Sequence, residues 1–327
     1  MSKFFSILCL SISLFSLFAF WSCGHKSAAA LPPGFKNDLQ MDFIRINPGE
    51  FLMGSKESPS YISKLYGGDS VWFKNEFPSH QVKITEAFMI SKYEVTYDQF
   101  ASFVKAKNYL TEAEKKNKIM CWNGNVREEK SGLSWKNPGY KLEGNYPVVC
   151  VTWKDAMSFV EWLNASAPGP PLGYTYDLPT EAEWEYCCRA GSSDIFFWGS
   201  NENDAKLYCN LADSSGAKAH GWKDHFMYND NYSESAPIGS FKPNKWGIYD
   251  MIGNVYEWTK DSGTNDDTFY YTNPEEDPCN TTSDNRHMLK GGSWHSNQRG
   301  ARPSKRKAYS TELAADNIGF RLVIRKI

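Results

Sequence analysis

The sequence predicts an α+β fold with a large share of irregular chain. Three observations carry that expectation. Short runs alternate apolar and polar residues, three threonines open segments of helical period, and Gly191 to Ile327 is rich in turn residues with little helical periodicity.

Met1 to Cys23 holds one lysine, Lys3, then an apolar run from Phe4 to Phe20, then Trp21-Ser22-Cys23. This reads as a secretion signal over residues 1–23. A small residue directly before a cysteine suits lipoprotein processing, with Cys23 acylated, although Phe20 stands where an aliphatic residue is usual. A retained transmembrane anchor or a plain cleaved signal is the alternative, since about 18 to 20 apolar residues just span a bilayer. Each reading puts the folded part outside the cytoplasm. Residues 24–40, with Ala28-Ala29-Ala30 and Pro32-Pro33-Gly34, read as a flexible tether. The domain is expected over 41–327.

"MDFIRINPGEFLMGS" alternates apolar residues around Asn47-Pro48-Gly49, as a hairpin would. "HQVKITEAFMISKYEV" supplies two further strand-like runs. Thr96 lies three residues before Gln99, a capping box, with Phe100, Phe103 and Val104 at helical spacing behind it. Thr152 precedes a second helix whose Ala156, Phe159, Val160 and Leu163 share a face. Thr180 and Glu183 form a capping box for a third, after Pro179 breaks what came before. The remainder is expected to be loops around short strands.

Aromatic residues make up 15% of the chain and the formal net charge is −2, which argues against a nucleic-acid-binding surface. Beyond Cys23 stand Cys121, Cys150, Cys187, Cys188, Cys209 and Cys279, with no zinc-ligand spacing. A vicinal disulfide is strained, so Cys187 and Cys188 read as two buried thiols or as halves of different bridges. The histidines, His25, His80, His220, His225, His287 and His295, are scattered. There is no phosphate-binding glycine loop and no nucleophile elbow.

Taken together, "INPGEFLMGS", "YPVVCVTWKDAMSFVEWLN", "LPTEAEWEYCCRAG", "FFWGS", "NKWGIYDMIGNVYEWTKD", "LKGGSWHS" and "NIGFRLVI" resemble the formylglycine-generating (sulfatase-modifying factor) family, in the family's order, over roughly residues 41 to 326. The resemblance implies one extended C-type-lectin-like domain. It also implies structural calcium, bound by Asn210, the Leu211 carbonyl, Asp230 and the Tyr232 carbonyl in one site. Asp250, the carbonyls of Gly253 and Val255, and Glu257 would form a second. Oxygen ligands of this kind suit a hard cation, although each Asp or Asn alone also suits a turn cap.

Enzymes of that family hold copper with two cysteines just after Gly-Gly-Ser, a task for soft thiolates. Here no cysteine lies between Ser293 and Arg321. The resemblance therefore points away from catalysis and from a redox cofactor. It points instead to the variable proteins of diversity-generating retroelements, treponemal lipoproteins among them, whose C-terminal segment is rewritten. Such a protein would be displayed at the outer membrane or cell surface on a lipid anchor.

Residues 291–321 have the stiff ends Gly291-Gly292-Ser293-Trp294 and Asn317-Ile318-Gly319-Phe320-Arg321. From Gly291 to Ser310 they carry Arg299, Arg302, Lys305, Arg306 and Lys307 and no acid. The mixed small, polar, basic and aromatic middle reads as a solvent-facing recognition surface, or as an ordinary solvated basic loop. By the resemblance, His295, Ser296, Arg299, Gly300, Pro303, Lys305, Lys307, Ala308, Tyr309, Ser310, Leu313 and Ala315 are the ligand-binding, replaceable positions. Arg302 and Arg306 are framework, and Trp294 and Phe320 pack beneath. The ligand would be an external protein or glycan of acidic character. A monomer is expected. An extracytoplasmic oxidase of the family, or an envelope assembly factor, is the alternative.

Overall fold

Thr96, Thr152 and Thr180 each cap a helix. In the computed structural model, which describes residues 30–122, 126–166, 169–263, 275–282 and 285–327, Thr96 Oγ1 accepts from the Gln99 amide at 3.3 Å. Gln99 returns the bond to the Thr96 amide at 2.9 Å. Thr152 with Asp155 and Thr180 with Glu183 repeat the reciprocal pair. A fourth box, Thr111 with Glu114, opens a short helix that the sequence reading did not single out.

In chain order the strands are β1 (Gly34–Lys36), β2 (Asp42–Ile46), β3 (Gly49–Met53), β4 (His80–Ile84), β5 (Phe88–Ser91), β6 (Lys118–Trp122) and β7 (Arg127–Ser131). Then follow β8 (Tyr174–Asp177), β9 (Tyr256–Ser262), β10 (Glu275–Glu276), β11 (Arg286–Lys290), β12 (Lys307–Ser310), β13 (Ile318–Gly319) and β14 (Val323–Lys326). The helices are α1 (Pro59–Tyr66), α2 (Tyr97–Lys107), α3 (Glu112–Lys116), α4 (Trp153–Ala165), α5 (Glu181–Arg189), α6 (Ala205–Tyr208) and α7 (Ser214–His220). A 3-10 segment, Ser70–Glu76, follows α1.

The strands form sheets ordered β1-β2-β5-β14-β8, β10-β4-β3, β12-β11-β9-β13 and β6-β7. This corrects two expectations. The Asn47-Pro48-Gly49 turn does not close a hairpin: β2 pairs with β5, Ile44 opposite Ile90, while β3 pairs with β4, Phe51 opposite Val82. Alternation marks both runs as strands but does not name their partners, which are set in space; β2 itself feeds both hydrophobic clusters, with Phe43 in one and Ile46 in the other. Met53 is buried in the same cluster as Ile46.

The tether reading of 24–40 is also too long. Residues 34–36 pair with β2, and Leu31 is buried in the first cluster, so the ordered chain starts ahead of residue 41. Residues 1–29, and with them Cys23 and the signal reading, lie outside the described residues.

The first cluster runs between α2, α4 and the C-terminal strands. Phe103 meets Phe159 edge to face at 5.7 Å, and Phe159 meets Phe320 at 5.6 Å. Such pairs add about 0.5–1.5 kcal/mol each beyond their buried area. The second cluster gathers Trp184, Ile90, Ile252 and the adjacent thiols Cys187 and Cys188, which are separate and unbridged.

Candidate functional site

β11 delivers the chain to Gly291 and Gly292, whose φ angles of 90° and 76° belong to the left-handed region that glycine adopts without strain. Ser293 is buried, and its hydroxyl accepts from Asn317 Nδ2 at 2.9 Å, tying the two ends of the 291–321 stretch together. Trp294 is buried against Trp222, ring centroids 5.8 Å apart, and its amide donates to the Asn254 carbonyl. At the other end β13 lies parallel to β9, Ile318 opposite Tyr256. Gly319 is there because a Cβ would sit 2.5 Å from the Val148 carbonyl oxygen. Arg321 is fully buried and makes a bidentate pair with Glu257 at 2.6 and 2.7 Å.

The middle of the stretch is neither a solvated loop nor wholly solvent-facing, which corrects the solvent-facing part of the sequence reading. It returns as β12 to pair with β11, and most of its basic side chains turn inward. Buried Glu76 binds Arg302 through both carboxylate oxygens and also accepts from Ser304 and Lys305. Burial pushes this carboxyl up, but Arg302 and then Lys305 outweigh it and hold Glu76 at about 2. Arg306 pairs with buried Glu181 at 2.6 Å, and Lys290 bridges Glu181 and Glu185. A buried cation needs a carboxylate within reach, and these come from Ser70–Glu76 and from α5.

A pocket of about 1010 Å³ opens against this framework. His295, Ser296, Arg299 and Gly300 line it, as do Lys305, Lys307, Ala308 and Tyr309, so eight of the twelve expected ligand-binding positions converge. The other four do not line it. Pro303 is buried, Ser310 is exposed at the end of β12, and Leu313 and Ala315 pack on the first core cluster. Ser296, Lys305 and Ala308 are themselves mostly buried and reach the pocket only by their edges.

The facing walls were missed by the sequence reading. Val71 and Trp72, both more than half exposed, come from the segment after α1; Trp122 and Arg127 come from β6 and β7; Trp222, Tyr256 and Arg286 are among the other lining residues. The short apolar run Val71-Trp72-Phe73 within a polar stretch was a legible signal. Arg127 carried none.

Burial alone would raise the Tyr256 phenol, but Lys307, a hydrogen bond from Ser296 and Arg127 together hold it below its ordinary value. Burial, then Arg127 and Lys307, push His295 down to about 3, so the imidazole is neutral and stacks on Trp122 at 5.1 Å. The pocket is thus cationic and aromatic. Among the described residues its one acidic lining residue is Asp224, which pairs with Arg299.

The oxygen ligands implied by the family resemblance fall into two sets, each with open and engaged oxygens. Asn210 Oδ1 and Asp230 Oδ2 are buried without a hydrogen-bond partner. Burial and the nearby Asp213 push the Asp230 carboxyl up to about 7, against a lowering bond from the Tyr232 amide. Orphaned oxygens of this kind are what a hard cation takes, although the Tyr232 carbonyl already accepts from the Ser215 hydroxyl at 2.8 Å. In the second set, Glu257 gives both oxygens to Arg321 and one also to Trp184 Nε1, and Asp250 accepts from the Gly239 amide. Burial pushes the Asp250 carboxyl up to about 6, much as it raises Asp230. The open carboxylate oxygen there is Glu94 Oε2, which the sequence reading did not name. Among the described residues no three His, Cys, Asp or Glu side chains are grouped to hold a metal ion, so a cation at Asp230 would lean on amide and main-chain oxygens.

Cys121 and Cys279 are pushed up to about 12, burial first among the causes, and Cys150, Cys187, Cys188 and Cys209 are raised by burial as well. A thiol held protonated is a weaker nucleophile than its thiolate.

The chain matches the sulfatase-modifying factor enzyme 1-like domain over residues 28–326. It is 28% identical over 277 residues to the formylglycine-generating enzyme of Mus musculus, covering 75% of this chain and 68% of that protein. It is 26% identical over 318 residues to the inactive C-alpha-formylglycine-generating enzyme 2 of Bos taurus, covering 87% and 88%. Among solved structures, PvdO from Pseudomonas aeruginosa superposes with a TM-score of 0.69 at 25% identity, covering 91% of this chain and all of that one. Treponema denticola variable protein 1 superposes at 0.62 with 18% identity, covering 90% and 100%, a likeness of fold. With glycine-fixed ends, a buried Arg321–Glu257 pair and this match, the chain belongs to the formylglycine-generating enzyme (sulfatase-modifying factor) family, on a C-type-lectin-like fold.

Proposed function

We propose that this is a surface-displayed, lipid-anchored binding protein, non-enzymatic, that takes an external protein or glycan ligand in the pocket lined by residues 295–309. The observation that carries the reading is the division of labour within the stretch. Arg302 and Arg306 are locked on buried carboxylates, while His295, Arg299, Lys307 and Tyr309 reach the pocket from a backbone held at both ends. A scaffold fixed by its own ion pairs tolerates exchange of the side chains that leave it.

The absence of any cysteine from 293 to 321, and the buried, protonated state of the thiols elsewhere, support a binding role over oxidation. The family has a member named inactive, so the scaffold does not by itself demand catalysis. The alternative, an extracytoplasmic oxidase or envelope assembly factor, is favoured by the enzymes among the relatives. Two measurements decide. Sequencing the locus should find a near-copy of the segment encoding 291–321 that differs at adenines, beside a reverse-transcriptase gene; its absence removes the diversification part. Copper-dependent oxidation of a cysteine peptide by the purified protein would overturn the non-enzymatic reading.

A further inference from the structure

The basic side chains lining the pocket are not equivalent. Arg299, Lys305 and Arg306 each have a carboxylate partner, in Asp224, Glu76 and Glu181. Lys307 and Arg127 have no such ion pair among the described residues, and neither do Lys74, Lys223 and Arg286, which also line the pocket. Arg127 opens β7, its Nη1 is buried without a hydrogen-bond partner, and its guanidinium carbon lies 5.1 Å from the centroid of the Tyr309 ring. Lys307 Nζ lies 5.5 Å from the centroid of Tyr256, whose hydroxyl receives the Ser296 hydroxyl at 3.4 Å. Lys307 and Tyr309 are alternate residues of β12, so both project from the same face of the strand.

Two cations partly withdrawn from water and lacking a counterion are unfavourable, and they repel each other. Only partial relief is nearby, from the Tyr256 hydroxyl for Lys307 and the Asp316 carboxylate for Arg127. His295 is neutral, Asp224 is committed to Arg299 and Asn297, and Asp316 gives Oδ2 to the Trp122 amide at 3.2 Å. The missing partner is an anion small enough to sit between β7 and β12.

We propose that Arg127, Lys307 and the Tyr256 hydroxyl form a subsite for a compact oxoanion, a sulfate, phosphate or carboxylate group carried by the ligand. The inference rests on the reading of this pocket as a ligand site and names the chemistry the site selects. The guanidinium offers two N–H donors, the ammonium a third direction and the phenol a fourth, all charge-assisted or next to charge. The aromatic rings around them, Trp122 and Tyr309, take the body of the ligand.

The test uses the purified protein with sodium sulfate, sodium phosphate and sodium acetate, each titrated against sodium chloride at matched ionic strength. The expected result is saturable thermal stabilisation by at least one oxoanion, weakened about tenfold or more in Lys307→Met and in Arg127→Met. Lys206→Ala, which removes an exposed lysine outside the pocket lining, should leave it unchanged. Which of the three salts acts identifies the ligand group as a sulfate, phosphate or carboxylate. In the unmodified protein the pH at which Tyr256 ionises, followed as tyrosinate absorbance against Tyr256→Phe, should rise when the anion binds, because the anion cancels the two cations. Oxoanions that act no differently from chloride, or a response retained in both the Lys307 and Arg127 variants, overturn the subsite. That failure leaves the locus sequence and the peptide-oxidation assay untouched, so loss of the subsite is distinguishable from loss of the binding role.

Discussion

Replacing Glu76 by glutamine should destabilise the protein and remove a defined part of its acid sensitivity. Glu76 is fully buried and receives Arg302 Nη1 at 2.5 Å, Arg302 Nη2 at 2.9 Å, Ser304 at 2.9 Å and Lys305 at 3.2 Å. The glutamine keeps the shape and loses the charge, leaving two cations without their counterion. Removing one partner of a buried pair costs about 3–5 kcal/mol. An independent route agrees: holding the carboxyl at about 2 rather than 4.5 corresponds, at about 1.4 kcal/mol per tenfold in proton affinity, to about 3 kcal/mol. Because the folded-state value is depressed, this stability is present in full above about pH 4.5 and is lost as pH falls through about 2. Urea denaturation at pH 7, repeated at steps down to pH 2, measures both effects. The variant should unfold about 3 kcal/mol more easily at pH 7 and lack the wild-type loss across that acid window. A change under about 0.5 kcal/mol at pH 7, or an unchanged acid slope, would refute the reasoning, since surface substitutions stay within that range.

Two further outcomes follow from the same geometry. Gly319→Ala places a Cβ 2.5 Å from the Val148 carbonyl oxygen, so it should lower stability by about 1–3 kcal/mol with little change in the denaturant slope; wild-type stability would show that β13 is not held as close as described. Calcium should raise the melting temperature relative to chelator, by about 2.7 kcal/mol in stability at a hundredfold excess over its Kd, and Asp230→Asn should blunt the response. Identical melting in calcium and chelator would remove the cation from the Asp230 set.

Helix starts were legible because their cause is local. Thr96 and Gln99, or Thr180 and Glu183, hold the information within one turn, and the boxes form where the spacing places them. The ends of the 291–321 stretch were legible for a similar reason. Gly-Gly-Ser-Trp and Ile-Gly-Phe combine large apolar side chains with glycine, and both ends are buried. The hairpin at Asn47-Pro48-Gly49 was misread because the pairing energy of a strand comes from whichever partner faces it, and β2 and β3 found different ones.

The basic middle shows the limit most clearly. Its composition determined that a positive segment would stand between rigid ends and that no thiol chemistry would occur within it. Whether those charges meet solvent, a carboxylate or an incoming ligand was decided only by the tertiary structure. The carboxylate for Arg302 lies 226 residues away at Glu76, that for Arg306 lies 125 away at Glu181, and Arg127 approaches from a strand with no sequence mark of its role. Charge pairing depends on distance in space, and the path of the chain sets that distance, so the same five basic residues could be sorted into framework and pocket only once the fold had brought their partners to them.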